Sequence, residues 1–243
     1  MDLLVVGAGE MGRWVARTVD RPVALADVDP STAERAAAGL DGRVRAVPAD
    51  TEETFDAVCL AVPISVVGEA VERYAPRAER AMCDVTGVMT TPVEAMRGAL
   101  PDRERVSMHP LFAASNAPGN VAVVGDAPGP VTDALLMDVM AAGNHTFETT
   151  AAEHDEAMKT VQAGAHTAIL AYALAAGNVR EEFATPVSAA LEDLVTTVTG
   201  GTPRVYREIQ ETFEGADAVA EAARRIADAE GEAFDDCYRE AGE

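Results

Sequence analysis

Apolar residues along this chain follow two rhythms, and the change between them falls near residue 150. Before it, short apolar runs such as LLVV at 3–6, VALA at 23–26, AVCLAV at 57–62 and RAMCDV at 80–85 have the length and composition of buried strands. The stretches between them, at 31–38, 65–74, 91–99 and 130–141, carry apolar residues at helical spacing, and further strands are expected near Val44 and at 105–108, 121–124 and 145–149. Such alternation is the βα rhythm of a parallel sheet covered by helices. After residue 150 the period is helical throughout, with helices expected at 153–176, 186–198, 203–213 and 216–238. The first of these contains AGAHTAILAYALAA, which is apolar on more than one face and so reads as a core or dimer helix.

The first strand runs straight into GAGEMG, and an amphipathic segment follows. Strand, glycine loop and helix in this order form a dinucleotide-binding unit, with Gly7 allowing the tight turn, Gly9 the approach of a pyrophosphate, and Gly12 the packing of helix on strand. Glu10 and Met11 complete the loop at the helix N-terminus, where backbone N–H groups face an anion. The second strand ends in Asp27, twenty residues after Gly7, where a carboxylate accepts hydrogen bonds from ribose hydroxyls and repels a 2′-phosphate. The expected cofactor is NAD. The fold class is therefore α/β: an N-terminal Rossmann-type doubly wound sheet at 1–150, binding NAD, then an all-helical substrate and dimerisation domain at 151–243.

In such a sheet the reacting groups follow the strand ends. Val62 and Pro63, after the fourth strand, are expected to line the nicotinamide side. In DVTG, after the fifth, Asp84 and Thr86 either meet a substrate or cap a helix. In MHP, after the sixth, His109 stands where a dehydrogenase needs a group to take a hydroxyl proton as hydride leaves. Of the other histidines, His145 reads as surface and His154 as a cap in a first helical turn, while His166 is either a core or a pocket residue. No histidine or cysteine spacing suggests a metal site, and no GxSxG nucleophile elbow is present.

Composition adds a constraint on the surroundings. The chain has 41 Asp and Glu against 19 Lys and Arg, a formal charge of −22, and Lys159 is its only lysine. A nucleic-acid partner is not expected with this balance. At molar salt the Debye length falls to roughly 3 Å and the self-repulsion of such a chain is screened, which points to a salt-rich cytoplasm. Cys59, Cys83 and Cys237 read as reduced small hydrophobes, and neither a signal-like leader nor a membrane-length apolar run is visible. A cytoplasmic protein with a small-molecule substrate and no membrane partner is expected.

The series GAGEMG, AVP, DVTG, MHPLF, HDEAMKTVQAGAHTAILAYALA and TPRVYREIQ resembles the prephenate dehydrogenases across nearly the whole chain, and with its acidic composition is most similar to members from halophilic archaea. The resemblance implies oxidative decarboxylation of prephenate to 4-hydroxyphenylpyruvate with hydride transfer to NAD, in tyrosine biosynthesis, and a homodimer formed through the C-terminal helices. It implies that His109 bonds the ring hydroxyl and accepts its proton, so that activity falls in acid, and that Gln162 and His166 line the substrate pocket. Two departures stand out. The family's DxxSxK pattern has Gly87 and Met89 at its serine and lysine positions here, leaving Thr86 as a substitute contact. A clamp arginine six residues before the proline of the later motif is Thr197 here, so Arg204, Arg207 or Arg180 is left to meet a substrate carboxylate, with Arg204 the first choice. These gaps leave open arogenate, another hydroxyacid dehydrogenase of the superfamily, or an NAD-binding regulator without turnover.

The charge argument has a direct test. Circular dichroism in molar KCl should show the full helical signal and should lose most of it when salt is dialysed away; full folding without salt would rule out the salt-adapted reading.

Overall fold

The computed structural model describes residues 1–40, 42–177 and 179–242. They form two compact units, Met1–Asp155 and Glu156–Glu243. The first unit is an eight-stranded sheet. Its strands are β1 (Leu3–Val6), β2 (Val23–Asp27), β3 (Val44–Pro48), β4 (Phe55–Leu60), β5 (Ala78–Asp84), β6 (Glu104–Pro110), β7 (Asn120–Ala127) and β8 (His145–Glu148). Their order is β3-β2-β1-β4-β5-β6-β7-β8. Strands β1 to β6 are parallel, whereas β7 runs antiparallel to β6 and β8 parallel to β7. The first six thus have the dinucleotide-binding order, with the reversal between β1 and β4 where ligands bind beyond the strand ends.

Side chains alternate between the two sheet faces, and each face is covered. On one, Leu3, Val5, Leu25, Cys59, Cys83, Val106 and Met108 pack with residues of α1 (Glu10–Thr18), α2 (Pro30–Ala38) and α5 (Pro130–Ala141). Trp14 of α1 meets Phe112 edge to face, with centroids 5.6 Å apart. On the other face, Leu4, Val58, Leu60 and Met82 are fully buried near α3 (Val67–Tyr74) and α4 (Thr90–Ala99). Cys59 and Cys83 face each other in register as free, buried thiols, as their reading as small hydrophobes anticipates.

The second unit is helical. Helix α6 (Ala151–Met158) begins in the first unit, and a π-helical turn at Lys159–Gly164 then joins it to α7 (Ala165–Ala175). The uninterrupted helix expected at 153–176 is therefore broken by a wide turn. Gln210 explains part of it: its Nε2 donates to the Ala163 carbonyl at 2.9 Å and its Oε1 accepts from Thr167 at 3.1 Å. A Cβ on Gly215 would lie 2.1 Å from the Lys159 carbonyl, so this turn is also packed against bare backbone. Helices α8 (Pro186–Thr199) and α9 (Pro203–Thr212) follow. The helix expected at 216–238 is two, α10 (Ala216–Asp228) and α11 (Glu232–Glu240), because Gly231 between them takes φ +53. Among the described residues no helix is long and apolar enough to cross a membrane.

The glycine loop depends on absent side chains. Gly7 has φ +96, and a Cβ on Gly12 would stand 1.8 Å from the Gly7 carbonyl oxygen. Gly12→Ala should therefore push α1 off β1 and lower the urea midpoint, measured at constant KCl, by an amount corresponding to about 1–3 kcal/mol. An unchanged midpoint would show that the loop relaxes freely.

Candidate active site

The dinucleotide loop comes first in the chain. Helix α1 starts at Gly9 with no side chain capping it, so its first N–H groups are open to a ligand. A Cβ on Gly9 would meet nothing within 4 Å, which is the cradle a pyrophosphate needs. Glu10 is exposed at the first turn, while Met11 packs against the core. Asp27 Oδ2 accepts the Ala8 N–H at 2.8 Å and its Oδ1 accepts that of Asp29 at 3.0 Å. The carboxylate thus ties the loop to the end of β2 and keeps further lone pairs for ribose hydroxyls. Arg35, the nearest cation downstream, is held by Ser31, Thr32 and Asp29 at the start of α2. Val62 and Pro63 lie just past β4, half-buried, beside the loop: a Cβ on Gly7 would touch Ala61 and the Val62 side chain.

At the carboxyl end of β6 a second feature appears. His109 is buried, and its Nδ1 lies 2.8 Å from Nε2 of His154. His154 is itself buried, with its Nδ1 2.8 Å from Asp155 Oδ1. The Asp155 carboxylate also accepts the backbone N–H groups of Met89 and Thr90, both at 3.0 Å, and so caps the N-terminus of α4. Burial works against its ionisation, but the hydrogen bonds from His154, Thr90 and Met89 outweigh it and hold its pKa below the usual carboxylate value.

With His154 in its neutral form, an ionised Asp155 sets the proton order of the array. It accepts, so His154 Nδ1 carries hydrogen; His154 Nε2 then accepts, so His109 Nδ1 carries hydrogen. The remaining nitrogen, His109 Nε2, is left with a lone pair. It faces Gly87, on which a Cβ would lie 3.7 Å from Nε2 and 3.3 Å from Cδ1 of Ile64. Burial, and next the neighbouring His154, lower the His109 pKa from 6.5 to about 3, with Asp155 opposing. The arrangement is therefore a neutral, oriented hydrogen-bond acceptor at a sheet edge.

The turn that carries Gly87 is set by Asp84. Its Oδ1 accepts from the Thr86 N–H at 3.1 Å and the Thr86 hydroxyl at 2.6 Å, and the Val88 carbonyl lies 3.0 Å from the same hydroxyl. Thr86 is thus buried and turned inward, bonded within the turn and capping no helix. Burial raises the Asp84 pKa to about 7 against the Thr86 bonds. Met89 is fully buried core.

Within the second unit, Gln162 and His166 lie one turn apart on the π-helical turn and α7. Gln162 Oε1 and His166 Nδ1 are buried with no hydrogen-bond partner among the described residues, which marks them as groups awaiting a ligand or water. Burial lowers the His166 pKa, and Tyr206 of α9 packs edge-on against its ring at 4.8 Å. Arg204 is 53% exposed with Nε 3.3 Å from Glu208 Oε1. Arg207 pairs loosely with Glu211, and Arg180 lies over the Phe183 ring.

Sequence reasoning placed His109 at the end of the sixth strand, where it stands, and missed its neighbours. His154 does not cap α6; Thr150 does, its Oγ1 accepting the Glu153 N–H at 3.1 Å. The HD pair was legible as a motif, but its contacts to residues 45 and 66 positions away were not.

A sheet in this order, with a glycine loop after β1 and a carboxylate ending β2, defines a dinucleotide-binding protein of the dehydrogenase type. A profile of the prephenate dehydrogenase nucleotide-binding domain matches residues 12–123. A 4-amino-4-deoxyprephenate dehydrogenase from Streptomyces pristinaespiralis is 32% identical over 246 residues, covering 92% of this chain and 81% of the relative. The chain belongs to the prephenate dehydrogenase family of oxidoreductases. Among solved structures, prephenate dehydrogenase from Aquifex aeolicus in complex with hydroxyphenyl propionate and NAD+ has a TM-score of 0.71 at 16% identity, over 93% of this chain and 88% of that one. Synechocystis arogenate dehydrogenase has a TM-score of 0.65 at 19% identity, over 94% and 90%.

The shifted pKa values have opposite consequences for stability. For His109 the unfolded chain takes up a proton first as pH falls, so its contribution is intact above about 6.5 and is lost toward 3. For Asp84 the folded state holds the proton longer, so its contribution is intact below 3.8 and is lost as pH rises toward 7. In nuclear magnetic resonance spectra at constant KCl the His109 ring should stay neutral from about pH 8 down to pH 5. A midpoint near 6.5 would mean a solvated ring outside the array.

Proposed function

We propose that this enzyme carries out the oxidative decarboxylation of prephenate to 4-hydroxyphenylpyruvate, with NAD as cofactor, in tyrosine biosynthesis. The observation that carries the reading is the Asp155–His154–His109 array, whose one free acceptor, His109 Nε2, stands at the same sheet edge as the glycine loop. NAD supplies the hydride acceptor, and Gly7, Gly9, Glu10, Met11, Gly12, Asp27, Val62 and Pro63 are the residues that would hold it. Family membership and the open cradle at Gly9 support that assignment.

His109 Nε2 accepts a hydrogen bond from the hydroxyl on the ring carbon that gives up hydride. Positive charge developing on that hydroxyl is thereby stabilised. The low basicity of the ring suits an acceptor that need not keep the proton, since the product is again a hydroxyl compound. It also moves the expected loss of activity in acid well below the range of an ordinary histidine. Gln162 and His166 offer neutral polar atoms to the substrate, and Arg204 is the cation we assign to a substrate carboxylate. Arogenate is the second reading within the same chemistry.

A homodimer through the C-terminal helices is part of this proposal. Helix α7 is apolar along its length, yet none of its residues is buried in the single chain, and Leu174 is 89% exposed. Phe183, Val187, Leu194 and Val205 are exposed on the same unit. A partner copy is the occupant that would cover them.

NADH formation at molar KCl, with prephenate or arogenate and with NAD or NADP, tests the assignment. Turnover is expected with prephenate and NAD. His109→Asn should lower kcat about a hundredfold or more with little change in KM. Near-normal turnover of that variant, or silence of the folded wild type with both substrates, would overturn the reading.

A further inference from the structure

Resting on the proposed function, we infer that Gly87 sets how strictly this enzyme distinguishes a hydroxyl from an amine on the ring carbon that loses hydride, and that as glycine it admits both. A side chain at position 87 would stand directly before the acceptor, its Cβ 3.7 Å from His109 Nε2. The other near atoms are aliphatic, Cδ1 and Cγ1 of Ile64 at 3.3 and 3.8 Å. The closest hydroxyl in sequence, that of Thr86, is turned away and bracketed by Asp84 and Val88. The position that could present a second hydrogen-bonding group to the reacting substituent presents none.

The number of lone pairs on the substituent separates the two substrates. When hydride leaves the ring carbon with its electron pair, the attached heteroatom shares a lone pair with that carbon. The carbon–carbon pair released as carbon dioxide departs then completes the aromatic ring. Oxygen has two lone pairs, so a hydroxyl can take a hydrogen bond from a donor at position 87 on one and still share the other. A neutral amine has only one. A donor there would occupy the pair the reaction needs, whereas glycine leaves it free, and His109 Nε2 accepts from O–H and N–H alike. An amine that arrives protonated first loses one proton to solvent, and the neutral amine then gives a product that keeps two N–H bonds. With NAD taking the hydride in either case, the neutral amine and the hydroxyl react with the same balance. The Streptomyces pristinaespiralis relative is a dehydrogenase of the amino compound, which supports the same reading.

The test compares kcat/KM for 4-amino-4-deoxyprephenate and prephenate in wild type, Gly87→Ser and Gly87→Ala, at molar KCl with NAD. Wild type should use both within about tenfold of each other. Gly87→Ser should shift the ratio at least about tenfold toward the hydroxyl substrate, a change of roughly 1.4 kcal/mol. Gly87→Ala adds the Cβ without a donor; it should leave the ratio within about threefold even if both rates fall, because Ile64 must give way slightly. Equal shifts in the two variants, or none in either, would overturn the role of position 87 while leaving the dehydrogenase reading intact. Rejection of the amine by wild type would overturn it too. Silence with both substrates would remove this inference together with the function on which it rests.

Discussion

One carboxylate organises the buried polar array at the carboxyl end of the sheet. Asp155 receives two backbone N–H groups at the start of α4 and a third hydrogen bond from His154. A helix N-terminus is a place where a buried negative charge is stable without a cationic partner, and that matters in a chain with only 19 basic residues. Because Asp155 remains charged, a neutral His154 holds one tautomer, and a neutral His109 beside it then holds one as well. A free histidine at the same strand end would divide between two neutral tautomers and the cation. This one, in that proton order, presents a lone pair from a single nitrogen in a single direction.

The same arrangement explains why the array is at once local and long-range. Asp84 shapes the turn before α4, Met89 and Thr90 begin that helix, and Asp155 arrives from α6 to cap it. The turn bearing Gly87 is therefore pinned at both ends. Changes at Asp155 would act on the α4 cap, the His154 tautomer and the Gly87 turn together, and their effects would not add as independent terms.

Much of this fold was legible in the sequence because parallel strands buried on both faces announce themselves as apolar runs, and GAGEMG followed by Asp27 has few other physical meanings. His109 was legible for a similar reason: a histidine and proline at a strand end in a dinucleotide domain are conspicuous. The role of His154 was not. Its place beside His109 depends on where α6 returns to the sheet, and helical periodicity carries no such information. Nor was the π-helical turn at Lys159–Gly164, since a locally wider winding leaves the apolar pattern of the helix almost unchanged. The inward turn of Thr86 onto the buried carboxyl of Asp84 was neither of its two readings, since a bond within a turn leaves no periodic signal.

A strongly acidic chain that must bind an anionic cofactor and an anionic substrate faces a conflict, which its choice of interactions resolves. We propose salt-rich surroundings for this protein, in which fields beyond roughly 3 Å are screened. Long-range steering then contributes little in either direction, so the charge of −22 neither repels the ligands strongly nor has to be offset by a basic surface. Contacts at hydrogen-bonding distance survive that screening. The loop accordingly relies on backbone N–H groups at the bare start of α1, with Arg13 anchored beside it through the Ala8 carbonyl at 3.2 Å. Likewise His109 is a neutral acceptor whose character comes from burial, and of the groups proposed for the substrate only Arg204 carries a charge. Short contacts of this kind, one of them charged, are the form of binding that an acidic protein can keep where long-range fields are screened.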